Sequence, residues 1–238
     1  MTTSGSTDFS VTRDDIIKRA LRLLGVLAQG ETPTTDQTTE AALALNGLVK
    51  AWQADGMPLW ALKTQTFPTV DGQRSYEIGL GKEYNYPKPL RVIQAWNHNS
   101  DSDIDIPMRL LTKQEYNMLG NKGTSGNPIQ CYYDPGLSYG TLYLFPVPGA
   151  TEPADTWITL VYQRPFEDFD ASTDTPDFPQ EWYDALTYGL ATRLAPEYGL
   201  DATARKQLWQ EMTLIKQDAL NFGVEEGSLF FGIERRGY

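Results

Sequence analysis

The sequence predicts an α+β protein: a discontinuous antiparallel helical bundle of two N-terminal and two C-terminal helices, an inserted β-sandwich or barrel-like domain, and an extended C-terminal arm. Three observations carry this. Apolar residues recur with helical spacing over residues 13–55 and again over 177–222. Between them, residues 59–165 are rich in Tyr, Val, Ile, Thr and Trp and are cut at short intervals by Gly, Pro, Asn or Asp, the texture of successive strands. Beyond Gly223 neither period continues. The expected limits are 1–58 and 178–222 for the two bundle halves, 59–177 for the β-rich insert and 223–238 for the arm.

Each element has its own local reason. Thr12 followed by Asp15 is a capping box, and Ile16, Ile17, Ala20, Leu21 and Leu24 make the apolar stripe of a first helix that Gly25, Gly30 and Pro33 close. Thr34 or Thr35 can cap the second, in which Ala41, Leu45, Leu48 and Trp52 share a face until Gly56 and Pro58. Strands are expected at Thr64–Thr69, Ser75–Ile78, Arg91–Asn97, Pro107–Leu111, Ile129–Tyr133, Thr141–Phe145 and Trp157–Gln163. Thr112 with Glu115 signals one short helix, to about Leu119, inside this region. Phe166 to Pro176 reads as an acidic loop. Asp177 can cap the next helix, with Pro179 near its first turn and Tyr183, Leu186, Leu190 and Leu194 on one face. Asp201 can cap the last, where Leu208, Met212, Ile215, Ala219 and Phe222 keep a 4-3-4-3 rhythm.

Composition removes several function classes. The 238 residues include 31 acidic and 20 basic side chains, for a net charge of −11, which opposes tight sequence-specific DNA binding because no cationic face replaces phosphate counterions. The single cysteine, Cys131, excludes an intrachain disulfide framework and a cysteine-based zinc site. The single histidine, His98, excludes multi-histidine metal centres, and no cofactor is expected. No apolar run reaches the roughly 18 residues of a membrane span, and Met1 to Asp8 has neither a basic nor an apolar region, so no secretory signal is expected.

Four segments resemble chemical motifs and are better read otherwise. Gly120-Asn-Lys-Gly-Thr-Ser-Gly126 lacks the Gly-Lys-Ser/Thr order of a phosphate loop, because Lys122 precedes Gly123; a mobile surface loop is the better reading. His98, in a polar stretch with Ser100 and Asp101, is read as a solvated turn histidine rather than a catalytic base. Asp101, Asp103 and Asp105 suggest calcium, but Ile106 and Thr112 stand where an EF-hand needs Gly and Glu; an exposed acidic hairpin loop is expected. Glu181, beside Trp182, would need a raised pKa to act as a hydrolytic acid, and a helix N-terminus favours the ionised form instead.

Three stretches carry a resemblance. The first is Ala20-Leu-Arg-Leu-Leu-Gly-Val-Leu-Ala28 followed by Ala44-Leu-Asn-Gly-Leu-Val-Lys-Ala-Trp52. The second runs from Gly126-Asn-Pro-Ile-Gln-Cys-Tyr-Tyr133 through Gly140-Thr-Leu-Tyr-Leu-Phe-Pro-Val-Pro148 to Ile158-Thr-Leu-Val-Tyr162. The third is Pro179-Gln-Glu-Trp-Tyr-Asp-Ala-Leu-Thr-Tyr-Gly-Leu-Ala191 with the helix after it. In this order they resemble the head-to-tail adaptor (tail accessory, packaged-DNA stabilisation) proteins of short-tailed bacteriophages, which are related to upper tail-tube proteins.

The resemblance implies a non-enzymatic virion protein of the tail or neck, made in the host cytoplasm. It would form a dodecameric connector ring docked under the portal after genome packaging. The ring would extend the DNA channel and provide a platform for tail nozzle or tube and fibre proteins, with genomic DNA passing through the lumen. The helical bundles would form the ring wall and the C-terminal arm would climb onto the portal. The arm concentrates Leu229, Phe230, Phe231, Ile233, Arg235, Arg236 and Tyr238, the aromatic, aliphatic and arginine composition of an interface. An upper tail-tube or completion protein is the alternative within the class. A cell-wall glycan hydrolase or binding module is the alternative outside it.

Overall fold

The computed structural model describes residues 4–55, 59–99, 103–149 and 156–223. Its described residues divide into two compact units, one drawn from residues 1–49 and 168–238, the other from 50–167.

In the first unit the helices begin where side chains can satisfy free backbone N–H groups. Helix α1 (Arg13–Leu23) opens on the capping box of Thr12 and Asp15, in which each side chain receives the other's backbone N–H. It ends at Gly25, whose φ of +72° lets Val26 N–H reach Leu21 C=O at 3.0 Å. Helix α2 (Thr35–Asp55) is capped by Thr34, whose hydroxyl takes Gln37 N–H while the Gln37 carboxamide takes Thr34 N–H. The apolar stripes expected for both helices are buried, from Ile16, Ile17, Ala20 and Leu21 to Ala41, Leu45 and Leu48. At about 1.5–3 kcal/mol for each fully buried large aliphatic side chain, these stripes outweigh the helices' weak intrinsic propensity.

Helix α4 (Tyr183–Leu194) is the hub. Ala185, Leu186, Thr187, Gly189, Leu190, Ala191 and Leu194 are all buried, which is most of its circumference rather than one stripe. Helix α1 packs against it and so does α5 (Ala202–Phe222), while Gly47 of α2 leaves room for the Arg193 guanidinium. The close backbone partner of α1 is therefore α4, where the sequence suggests α1 and α2 as a pair. Asp177 does not cap α4: Pro179 leads into a single 3-10 turn, Gln180–Trp182, that continues as the helix without a side-chain cap. Burial of Phe178 and Trp182 anchors this start instead. Asp201 caps α5 as expected, accepting N–H from Thr203 and Ala204 at 2.7 and 2.9 Å.

The second unit is one sheet, not a two-layered sandwich. Its strands are β1 (Leu62–Pro68), β2 (Ser75–Ile78), β3 (Arg91–Asn99), β4 (Ile104–Leu110), β5 (Gln130–Asp134), β6 (Gly140–Phe145) and β7 (Thr156–Gln163), in spatial order β1-β7-β3-β4-β5-β6-β2. Every neighbouring pair is antiparallel except β4 with β5. The sheet curls until its two edges meet through side chains: Phe67 of β1 and Tyr76 of β2 have ring centroids 5.7 Å apart. Barrel-like is the right half of the sequence expectation. The concave side holds the core, with Leu142, Leu144, Ile158, Leu160 and Tyr162 fully buried by alternation along their strands. Helix α3 (Lys113–Met118) keeps its Thr112–Glu115 capping box and covers Tyr132 and Tyr143 with Tyr116.

The acidic loop after β7 is anchored to α2 by a row of side chains at helical spacing. The Asn46 carboxamide both donates to Phe169 C=O and accepts Phe169 N–H, at 3.1 and 2.8 Å. Lys50 donates to Phe166 C=O at 2.7 Å, and Gln53 accepts Phe166 N–H at 2.8 Å. Phe166 and Phe169 are themselves buried.

Asn46→Ala strips both backbone groups of Phe169 of their partner. Each unpaired buried group costs about 1–3 kcal/mol, so urea denaturation should show a loss in that range or above. Cap carboxylates contribute to stability against acid. Hydrogen bonds from the Thr12 hydroxyl and backbone N–H hold Asp15 below its ordinary value, and Ala204 and Thr203 N–H do the same for Asp201. A folded pKa below the unfolded one gives stability that is present above pH ~4 and is lost as pH falls through the folded value. Asp201→Asn keeps a capping side chain that cannot titrate, so its helical circular dichroism should decline less than wild type between pH 5 and 2.

Candidate functional site

The sequence-identified residues do not converge on a catalytic centre. His98 lies in β3 rather than in a turn, because pairing with β4 extends the strand two residues beyond Asn97. Its Nδ1 is 2.8 Å from Asp105 Oδ1 directly across the ladder, a cross-strand pair. Asp103 occupies an exposed turn with φ of +53°, while Ser100 and Asp101 lie outside the described residues. Glu181 is exposed in the 3-10 turn before α4.

Loop 120–126 lies at the surface, as expected, and is tied down by hydrogen bonds. Lys122 Nζ donates to the carbonyls of Asn117 and Leu119 at the end of α3, at 3.1 and 3.2 Å. Backbone bonds between Thr124, Gly126 and Val147 pin the other half beside β6. Lys122 therefore serves the C-terminus of a helix, where carbonyl oxygens collect partial negative charge. The arm residues Leu229, Phe230, Phe231, Ile233, Arg235, Arg236 and Tyr238 lie outside the described residues.

What the structure offers instead is surface for protein contact. On the convex face of β1, β7, β3 and β4 the register sets Pro68, Trp157, His98 and Asp105 in one row and Thr66, Thr159, Trp96 and Pro107 in the next. Trp157 stays 37% exposed and Trp96 half-buried, while Thr66 and Thr159 join hydroxyls at 2.9 Å between them. A β-bulge between Val92 and Gln94 brings Ile93 to a shallow groove of about 470 Å³ with Trp96, Pro107 and Leu110. Alternation carried this signal, since Trp96 and His98 alternate with the buried Ala95 and Asn97. Arg109 and Leu111 donate N–H toward β5, so Pro107 falls on the same open side of β4, where a missing donor blunts the edge.

Helix α5 is the second surface. Ala219 is its one fully buried residue, and Trp209, Leu214 and Phe222 are 54%, 67% and 75% exposed. Phe222, the last residue of the 4-3-4-3 rhythm, stands in solvent. Charge is unevenly divided as well. Residues 1–49 and 168–238 hold 19 acidic against 10 basic side chains, whereas 50–167 hold 12 against 10, so nearly all the net charge resides with the helices.

Helices that bury one side, a strand-rich insert with an exposed aromatic face and acidity gathered on the helical unit describe a protein built for contacts. The family model for the SU10 adaptor protein matches residues 11–223. The chain belongs to that family. It is a phage adaptor, and membership points to a structural role, to contacts with other phage head and tail proteins and to a place in the virion. No curated protein matches the chain. The match spans all three stretches that carried the resemblance in sequence, and it identifies an adaptor without assigning a short-tailed phage or a tail-tube relationship. No helix among the described residues of the adaptor is long and apolar enough to cross a membrane.

Cys131 of the adaptor faces the sheet core and is fully buried, and burial pushes its thiol up to about 12. At pH 8 the thiolate fraction is then about one in ten thousand, against roughly a quarter for a free cysteine. A disulfide-exchange reagent should leave the folded adaptor unmodified for hours and titrate one thiol per chain within minutes in denaturant.

Proposed function

We propose that this adaptor is the head-to-tail connector of a short-tailed phage. Copies assemble as a dodecameric ring beneath the portal once the genome is packaged, extend the DNA channel and present a platform to tail nozzle or tube and fibre proteins. The observation that carries the reading is the adaptor-family match over residues 11–223, and the resemblance of the three sequence stretches to head-to-tail adaptors supports it. The charge division supports it. A ring wall made of the helical unit, with 19 acids to 10 bases in each copy, repels phosphate and lets DNA slide.

In this reading the arm is the portal anchor. Leu229, Phe230, Phe231 and Ile233 supply apolar area, and Arg235, Arg236 and Tyr238 supply the polar and aromatic contacts typical of interface centres. The convex Trp96–Trp157 face of the insert is left for tail components.

Native mass spectrometry of the chain alone and after mixing with its cognate portal ring tests this. The expected result is a monomer that adds to the portal at one copy per portal subunit. Deleting residues 224–238 should abolish that addition while the thermal midpoint stays within about 4 °C, the shift that roughly 1 kcal/mol produces in a chain of this size. A full-length chain that ignores the portal would sink the reading.

A further inference from the structure

At the end of α3 the insert holds a recess of about 370 Å³ lined by Arg74, Ser75, Lys122, Ser125, Val147 and Pro148. Three chain segments make its walls, and backbone bonds lock them together. Gly72 N–H donates to Pro148 C=O at 2.9 Å, Val147 N–H to Thr124 C=O at 2.8 Å and Gly126 N–H to Val147 C=O at 2.9 Å. Gly149 belongs to the same construction, because a Cβ there would take the space of the Ser125 hydroxyl. The recess is therefore preformed, which lowers the ordering cost of binding.

Its polar side chains are poised to donate. The Arg74 guanidinium is exposed and has no hydrogen-bond or ion-pair partner among the described residues, and the Ser75 and Ser125 hydroxyls have none either. Lys122 Nζ spends two of its three N–H groups on the carbonyls of Asn117 and Leu119, which leaves the third. Both cations lie beside Tyr116. Lys122 Nζ is 5.5 Å from its ring centroid, and burial pushes its phenol up while the Arg74 charge opposes that rise. Tyr116 is 6% exposed and its hydroxyl has no hydrogen-bond partner among the described residues, an unspent donor where an unmade bond is costly. Among the described residues no carboxylate lines the recess. Nearby acids are engaged elsewhere, Glu83 by the Gln73 carboxamide and Glu115 by Arg109 and Thr112.

Two cations, two hydroxyls and no acid suit a doubly charged oxyanion better than a carboxylate, which brings one charge and two oxygens. A phosphate monoester carries about −1.5 to −2 charges at pH 7 and three strong acceptor oxygens. Val147 and Pro148 give apolar wall to the carbon group that bears it. We propose that this recess binds the phosphate group of a small phosphomonoester, with Arg74 and Lys122 as its cations and Ser75 and Ser125 as hydroxyl donors. Gly123 N–H is already taken by the Asn121 side chain, so Gly120–Gly126 contributes a lysine and a serine rather than the backbone cradle of a phosphate loop. The inference concerns the insert and stands whether or not the adaptor docks at a portal.

The test is a titration of the 15N-labelled full-length adaptor with glycerol 3-phosphate at pH 7.5 and constant ionic strength, read by amide NMR shifts. Amides of residues 72–75 and 122–125 should move together and saturate with a half-point of ~1 mM, and acetate should need about tenfold more. Arg74→Ala removes an exposed side chain without a partner among the described residues. It should raise the half-point about tenfold and leave the rest of the spectrum in place, the loss expected for one charge-assisted bond. Lys63→Ala removes an exposed cation of β1 in the same unit and should change the half-point less than about twofold. Shifts that do not saturate by about 20 mM, an Arg74→Ala half-point equal to wild type, or an equal loss from Lys63→Ala would each overturn the proposal. Inorganic phosphate binding about tenfold tighter than the ester would overturn it in favour of the free ion, and acetate binding as tightly as the ester would overturn it in favour of a carboxylate ligand. Saturable binding by a chain that ignores the portal would keep this inference and sink the connector reading.

Discussion

An insert of more than a hundred residues can interrupt a helical unit only if the chain leaves it and returns at one place. Here that requirement is met by a polar row on α2. Asn46, Lys50 and Gln53, at i, i+4 and i+7, hold the backbone of Phe166 and Phe169 by four hydrogen bonds. Buried backbone groups that lack partners cost as much as a good hydrogen bond gains, so this row makes it possible for Phe166 and Phe169 to be buried at all. The return of the chain then delivers Trp182 and the core of α4 to the residues that α1 and α2 bury.

The insert solves its own problem differently. Seven strands in one sheet leave two edges, and a sheet of this size curls rather than lies flat. Phe67, Tyr76 and Tyr84 come together where the edges meet, with centroid separations of 4.4 to 5.9 Å, so an aromatic cluster closes the curl that backbone hydrogen bonds leave open. The Tyr76 hydroxyl accepts Val70 N–H there, which ties the β1–β2 connection to the same cluster. Tyrosine suits the position because its ring fills the core while its hydroxyl reaches backbone at the rim.

Both units leave apolar surface exposed, and they do so by different means. The sheet does it by alternation: the side that faces away from the core carries Trp96, Trp157 and Pro107 beside the His98–Asp105 pair. The helical unit does it with α5, 21 residues long but packed on α4 along one narrow stripe. On the sheet surface His98 is paired with Asp105, and Cys131 lies in the core. Membership of the adaptor family points to contact with other phage proteins.

The sequence by itself determined the elements, because what decides an element is local. Capping boxes at Thr12 and Thr112, the Asp201 cap and the strand at Thr141–Phe145 rest on residues close in sequence and appear as read, and of Thr34 and Thr35 it is Thr34 that caps α2. Strand limits shifted by one to three residues where a partner strand lent hydrogen bonds, as for His98. Only tertiary structure decided what those elements do together. One sheet rather than two, α4 rather than α2 as the neighbour of α1, and solvent rather than core around Phe222 all depend on residues far apart in sequence. The candidate surfaces were half legible for the same reason. Periodicity shows that a residue has a face, but which faces meet is settled by the shapes of distant partners, and an apolar residue left over after that packing looks in sequence like any other.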